Sequence, residues 1–167
     1  MSLYEFSVPQ FIKMLGNVDK WFDKAESHAQ TKGFDVNVLL SARLAPDQFH
    51  FTRQVQIATD SPKLGLARIT GKQAPVWPDD EASLHQLRER LKKASAYLET
   101  FSPADFEGAA TRIITVPGGK SATGQDHLIE HVIPTFYFHV MTVYAILRHN
   151  GVDLGKRDYL GPLRLQG

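Results

Sequence analysis

The sequence predicts a single all-α domain, an up-down four-helix bundle with a small β-hairpin before its last helix. Its 167 residues fall within the roughly 100–200 residues of one domain. Four segments repeat apolar residues at steps of three and four, which is typical of amphipathic helices. The last segment is apolar on most of its circumference, so we expect it to be largely buried. Residues 1–167 are therefore predicted to form one helical bundle domain.

The first helix has a clear beginning and end in the sequence. Ser2 and Glu5 have the spacing of a capping box, and Ser7 before Pro9 offers a second possible start. Gly33 follows the last periodic residues and is expected to end the helix. One apolar stripe runs between these ends, and its members are Phe11, Met14, Leu15, Val18, Trp21, Phe22 and Ala25.

The second and third helices follow a short turn over residues 35–40. Helix 2 is expected to bend at Pro62 and to end at Gly71. Helix 3 is expected to begin near Asp80 or Glu81, because acidic residues suit the positive end of a helix dipole. The apolar arc of helix 2 comprises Phe51, Val55, Ala58, Pro62, Leu66 and Ile69, and that of helix 3 comprises Leu84, Leu87, Leu91, Ala94 and Leu98. The predicted solvent side of helix 3 carries Arg88, Glu89, Arg90, Lys92 and Lys93.

A hairpin and a long helix complete the predicted bundle. Residues 111–116, followed by the turn residues 117–120, indicate two short strands. The last helix is predicted over residues 124–150, with Gly151 as its end and Pro134 as the cause of a bend.

Composition excludes several classes of function. The net charge is +1, from 19 Lys and Arg against 18 Asp and Glu, so no field of one sign attracts nucleic acid or an anionic membrane. The absence of cysteine excludes disulfides and thiolate metal sites. No secretory signal is recognised, and no apolar run reaches the ~20 residues of a membrane span. We expect a cytoplasmic protein that contacts neither membrane nor nucleic acid.

The histidines of the last helix are the first candidates for a site. His127, His131, Thr135 and His139 follow at steps of four. The first two can share a face and could hold a metal ion between them. His139 falls instead among core positions, where it is either an interior ligand or base, or a core histidine bonded to a carboxylate or carbonyl group. The second interpretation is favoured, because a buried histidine needs only a hydrogen-bond partner.

Helix 2 supplies further polar candidates. One stripe consists of Arg53, Gln56, Asp60 and Lys63, and its flank carries His50, Gln54 and Ser61. The stripe is either a solvated face with intrahelical ion pairs or part of a second buried contact, since Ile57 and Leu64 interrupt the same side. A homodimer would supply such a contact.

The C-terminal half adds a family resemblance. Phe138-His139-Val140 and residues 144–152, from Tyr144 to Val152, resemble the last helix of the DinB/YfiT-like metalloenzyme superfamily. Residues 53–60 and 154–161 are similar to an uncharacterised branch of it, a domain of unknown function. The resemblance implies a four-helix bundle, frequent dimers and a three-histidine nickel or zinc site. In that site His139 corresponds to the second histidine of the last helix and Thr135 to the first, while His50 or Gln54 corresponds to the histidine of helix 2.

The departures at Thr135 and Gln54 predict a degenerate metal site, which His131 or Asp60 could rebuild. We expect a dimeric protein that binds a small molecule, with His139, Gln54, Asp60 and Tyr137 as hydrogen-bonding groups. The alternative is a nickel- or zinc-dependent enzyme, a transferase or isomerase, that uses His139 with His50 and with His131 or Asp60. No catalytic residue is assigned.

Overall fold

The computed structural model describes residues 2–116 and 118–165, and it confirms the all-α bundle with a small hairpin. The α-helices in this part of the chain are α1 (Leu3–Lys32), α2 (Phe51–Thr70), α3 (Leu84–Leu98), α4 (Gly124–His127), α5 (Ile133–His149) and α6 (Lys156–Leu160). Two 3₁₀ turns cover Val36–Ser41 and Pro103–Phe106. Strands β1 (Ile113–Thr115) and β2 (Ser121–Thr123) pair antiparallel, as the hairpin prediction requires. Pro117, in the predicted turn, lies outside the described residues.

Helix α1 uses the first of its two predicted starts. The Glu5 amide donates to Ser2 Oγ, and the Ser2 amide donates to Glu5 Oε2 at 2.7 Å, which forms the capping box. Pro9 therefore lies inside the helix and not at its first turn. Gly33 ends the helix at a φ of 74°, a left-handed conformation that glycine adopts without steric cost.

The long helices pack as a ring in which α2 contacts α3 and α5, while α1 contacts the same two from the other side. Helices α2 and α3 run in the same direction. Thr59 bonds Arg90 near the middle of both helices, and Lys72 bonds Thr100 beyond their C-terminal ends. Residues 71–83 therefore return along the bundle before α3 begins. Because α2 and α3 are parallel, these two consecutive helices do not alternate in direction, unlike the simple up-down order expected from the sequence.

Helices α2 and α5 run antiparallel and form a long contact, which we call the α2/α5 seam. Gln54 bonds His139 at one end of the seam, and Arg68 bonds His127 at the other. Gly65 lies between them, and a Cβ atom there would collide with the side chain of Val132. Glycine thus allows the two backbones to approach closely at this point.

The predicted apolar stripes form the core. Their largest fully buried members include Trp21, Phe22, Phe51, Leu66, Leu87 and Phe136. Phe11 and Phe136 pack with ring centroids 4.6 Å apart, which joins α1 to α5. The stripes were identified by their spacing, and the structure places them together.

Helix α3 corrects two expectations. It begins at Leu84 and not near Asp80 or Glu81, because Ser83 accepts the Gln86 amide at 3.2 Å and caps the helix. Arg90 was predicted on the solvent side but is only 2% exposed.

The last helix is continuous but changes its winding. Residues Leu128–Val132 form a π turn between α4 and α5, in which the Ile133 amide donates to the Leu128 carbonyl oxygen. Pro134 cannot donate a backbone hydrogen bond, so the wider turn comes directly before the residue that interrupts the α-helical pattern. The sequence predicted a bend at Pro134 but not this π turn. In the part of the chain that the structure describes, no helix is long and apolar enough to cross a membrane.

Candidate functional site

His139 lies in the α2/α5 seam and is bonded to Gln54. The ring is 8% exposed and Gln54 is fully buried. His139 Nδ1 lies 2.6 Å from Gln54 Oε1, and Gln54 Nε2 donates to the Phe49 carbonyl oxygen at 2.8 Å. An amide oxygen can only accept, so His139 Nδ1 carries the proton and donates it to Gln54. This network assigns the Nδ1–H tautomer to the ring.

The same bond makes Nε2 the acceptor atom of His139. Burial, with a smaller contribution from the charge of Arg53, lowers the pKa of His139 from 6.5 to about 4. The ring is therefore neutral at pH 7, and Nε2 carries a lone pair. Among residues 2–116 and 118–165, no side chain or backbone group donates a hydrogen bond to Nε2.

An exposed aromatic side chain, Phe138, lies against the His139 ring. The Phe138 ring stands edge-on to His139 at 5.1 Å between centroids. Phe138 and Phe49 are each more than half exposed, and the Arg53 guanidinium lies over the Phe49 ring. A hydrogen-bond acceptor thus lies beside an exposed aromatic side chain.

The other candidates from the last helix and the start of α2 are not hydrogen-bonded to His139 in the described residues. Thr135 lies one turn before His139 and is partly buried. Burial raises the pKa of the Tyr137 hydroxyl group, against a smaller opposing effect of Gln10 on α1. His50 caps α2, because its Nδ1 accepts the Arg53 amide at 3.4 Å.

Asp60 and His131 lie in other parts of the structure. Asp60 Oδ1 pairs with Lys63 Nζ at 2.6 Å and with Arg90 Nη2 at 3.0 Å, on the side of α2 that faces α3. His131 stacks against His127, with ring centroids 5.2 Å apart, towards the opposite end of the seam. Neither residue joins His139 in a common site.

These positions do not fit the three-histidine metal site implied by the family resemblance. A catalytic zinc ion usually takes three protein ligands and leaves one position open. Here Thr135 occupies one ligand position, and Gln54 uses its oxygen for His139. Within the described residues, no three histidine, aspartate or glutamate side chains are grouped so that they could hold a metal ion.

A charged network on the other side of α2 does not follow from the sequence pattern. We call it the Arg90 network, and it consists of Arg90, Thr59, Asp60, Pro78, Asp79 and Glu81. Arg90 Nε donates to Thr59 Oγ1 at 2.8 Å, and Nη1 pairs with Glu81 Oε1 at 2.9 Å. Burial alone would lower the pKa of Arg90, but the bond to Glu81 and the charge of Asp60 outweigh it and raise the pKa. Trp77 lies beside the network, with Lys63 Nζ 4.0 Å from its ring centroid.

The Arg90 network holds the crossover, residues 71–83, against α2 and α3. A cleft of about 350 Å³ lies beside it and is lined in part by His50, Gln56, Asp79 and Glu81. The carboxylates of this cleft are already bonded, because Asp79 pairs with Arg53 and Arg90, and Glu81 with Arg90 and Gln56. The cleft is therefore less suited than His139 to bind a new polar group.

Comparisons with known proteins place this geometry in a family. The family model described as "Domain of unknown function (DUF1993)" matches residues 3–160. The crystal structure of a DinB family member protein from Shewanella denitrificans is similar, with 51% sequence identity and a TM-score of 0.95. That match covers 99% of this chain and 95% of the other. No curated protein matches significantly. The chain belongs to the DUF1993 family and has the fold of a DinB family protein.

Proposed function

We propose that this protein binds a small organic molecule at the α2/α5 seam, with His139 Nε2 accepting a hydrogen bond from it. The bond between His139 Nδ1 and Gln54 Oε1 carries the proposal, because it fixes the tautomer and leaves the lone pair on Nε2. The low pKa of the ring keeps that lone pair available at neutral pH.

The surroundings indicate the class of ligand. A hydroxyl or amide N–H group would satisfy Nε2, and an apolar or aromatic body would cover Phe138 and Phe49. Hydrophobic contact and one oriented hydrogen bond would both contribute to the binding affinity of such a ligand. A carboxylate would be disfavoured at Nε2, since a lone pair faces a negative charge there.

Phenol is a suitable probe, because it joins one hydroxyl donor to an aromatic ring. We expect phenol to shift the ¹⁵N resonance of His139 Nε2 in a saturable titration of the wild-type protein. In calorimetric titrations with phenol, His139→Ala should show no saturable binding, whereas His149→Ala should bind like the wild type, since His149 is exposed in the last turn of α5. Equal binding by His139→Ala, or no saturable shift in the wild type, would reject this ligand site.

We also propose that the outer faces of α2 and α5 form a homodimer interface. Leu64, Phe138 and Met141 are 45%, 57% and 46% exposed on these two helices, and exposed apolar groups of this kind often mark protein interfaces. Sedimentation should show a wild-type dimer that dissociates in Phe138→Glu. Val38→Glu is the control, because Val38 is equally exposed but lies in the first 3₁₀ turn. A wild-type monomer, or a dimer that survives Phe138→Glu, would contradict the interface.

The second candidate function is that of a nickel- or zinc-dependent transferase or isomerase. One observation favours it: a ring whose Nδ1–H is bonded to an oxygen and whose Nε2 is an acceptor resembles a metal-ligating histidine with its supporting residue. Metal analysis of protein purified without an affinity tag decides between the two. Bound nickel or zinc that is lost in His139→Ala would favour the enzyme. Metal-free protein that is not stabilised by either ion would exclude a metal at His139, because a bound ion stabilises the folded state.

A further inference from the structure

We propose that His127, Glu130 and His131 form a separate binding site for a divalent transition-metal ion beside the hairpin. The site lies on the π turn and the end of α4, eight residues or more before His139 in the chain. That spacing corresponds to roughly 12 Å along a helix. The proposal is therefore independent of the ligand site at His139.

The first observation is a cavity whose polar side chains are all potential metal ligands. Its volume is about 300 Å³. The lining residues are Val116, Ala122, Asp126, His127, Glu130 and His131. Imidazole and carboxylate groups are the ligands that zinc and nickel take in proteins without thiolates. Two carboxylates of the lining, those of Asp126 and Glu130, could face a bound cation.

The second observation is the placement of the two imidazoles. His127 and His131 lie four residues apart with Glu130 between them, and their rings stack at 5.2 Å between centroids and 29° between planes. His127 is nine-tenths buried, whereas His131 is exposed. Buried His127 would anchor the ion, while His131 and Glu130 can rotate towards it from the surface. Paired histidines at this spacing on one helix are a common metal-binding arrangement.

Arg68 controls access to the buried ligand. Its Nη1 lies 3.3 Å from His127 Nε2. A guanidinium group only donates, so Nε2 already carries the lone pair that a metal ion needs. Metal binding through Nε2 must displace Arg68, which is partly exposed and can move into solvent. Arg68 is thus a competitor of the ion.

The site requires side-chain movement before it is complete. No three such ligands in residues 2–116 and 118–165 are already grouped for a metal ion. We therefore expect two imidazoles to bind first, with Glu130 joining by rotation and water filling the other positions.

Calorimetric titration of the tag-free full-length protein with Zn²⁺ tests the proposal. The wild type should bind one ion, and His131→Ala should weaken binding by at least the roughly 10–100-fold that loss of a supporting residue costs. His131 is exposed, so this variant should fold normally. Arg68→Gln should strengthen binding, because it removes a charge and frees the lone pair. A higher Zn²⁺ affinity in Arg68→Gln would not follow if His127 had a merely structural role.

His139→Ala and His149→Ala are the controls, and both should bind Zn²⁺ like the wild type. Absence of binding by the wild type, or unchanged affinity in His131→Ala, would overturn the proposal. Loss of binding in His139→Ala but not in His131→Ala would also overturn it and would move the ion to the α2/α5 seam.

Discussion

Helix α2 carries polar side chains into the protein on two sides, and the two sides are bonded differently. Towards α3, Arg90 meets Asp60, Asp79 and Glu81 within 3.0 Å. Towards α5, Gln54 accepts a hydrogen bond from Nδ1 of the neutral His139 ring. The second ring nitrogen, Nε2, receives no hydrogen bond from the described residues. On the α3 side the charged groups pair with one another, and Asp60 Oδ1 and Arg90 Nη2 meet as an ion pair without hydrogen-bond geometry. On the α5 side, no donor from the described residues bonds to His139 Nε2, which makes this side the candidate for binding.

The largest expected effect comes from breaking the Arg90 network. Arg90→Met removes the cation but leaves the surrounding carboxylates, so we expect a loss of about 3–5 kcal/mol in the free energy of unfolding. Urea unfolding followed by circular dichroism measures it. Arg88→Met is the matched control two residues away, because Arg88 pairs only with partly exposed or exposed carboxylates, and such pairs contribute about 1 kcal/mol or less. Equal losses in the two variants would contradict the distinction between a buried network and a surface cluster.

The second largest effect is expected from acidification, which should lower the free energy of unfolding through His139. The folded pKa of His139 is about 4, against 6.5 for a free histidine, so the unfolded chain takes up a proton first as the pH falls. Stability therefore decreases from about pH 7 towards pH 4, by up to about 3 kcal/mol for such a shift. His127 contributes in the same direction, since burial and Arg68 lower its pKa to about 4 as well.

The measurement is the free energy of unfolding at several pH values in the wild type and in His139→Gln. The variant should lose part of the pH dependence, while the contribution of His127 remains. A variant curve parallel to that of the wild type would show that His139 does not titrate as the structure indicates.

A smaller effect is expected from removing the imidazole at neutral pH. His139→Ala leaves the Gln54 oxygen unbonded, which should cost about 1–3 kcal/mol. The double variant Gln54→Leu, His139→Leu removes both partners of the bond and should be closer to the wild type, with the loss of the Gln54 donor to the Phe49 carbonyl oxygen as its remaining cost. Thermal unfolding of the three proteins measures this difference. A double variant that is less stable than His139→Ala would contradict the role of the bond.

The two sides of α2 also differ in how much of their structure the sequence predicts. Apolar spacing predicted the long helices, and the position of His139 among core residues predicted its burial. The sequence also marked Gln54, together with His50, as a candidate for the helix-2 histidine position of the family, although only the structure shows that Gln54 bonds His139. These features depend on neighbours within one helix or on a known family pattern.

The Arg90 network could not be predicted in this way. A charged residue on an amphipathic helix usually faces solvent, and the bonds of Arg90 depend on where residues 71–83 cross the bundle. Asp79 and Glu81, next to Trp77 and Pro78, were interpreted as a loop and a helix start, while their carboxylates in fact fold back onto α2 and α3. The contact of Arg68 with His127 could not be predicted either, because it joins two residues that are 59 positions apart in the chain.

The protonation state of His139 tests the central claim most directly. A long-range ¹H–¹⁵N spectrum of labelled protein, recorded from pH 4 to pH 8, distinguishes the two tautomers and follows the titration. We predict a neutral ring with its proton on Nδ1, which titrates only near pH 4. A ring protonated on Nε2, or a midpoint near 6.5, would contradict both the bond to Gln54 and the acceptor on which the proposed binding site depends.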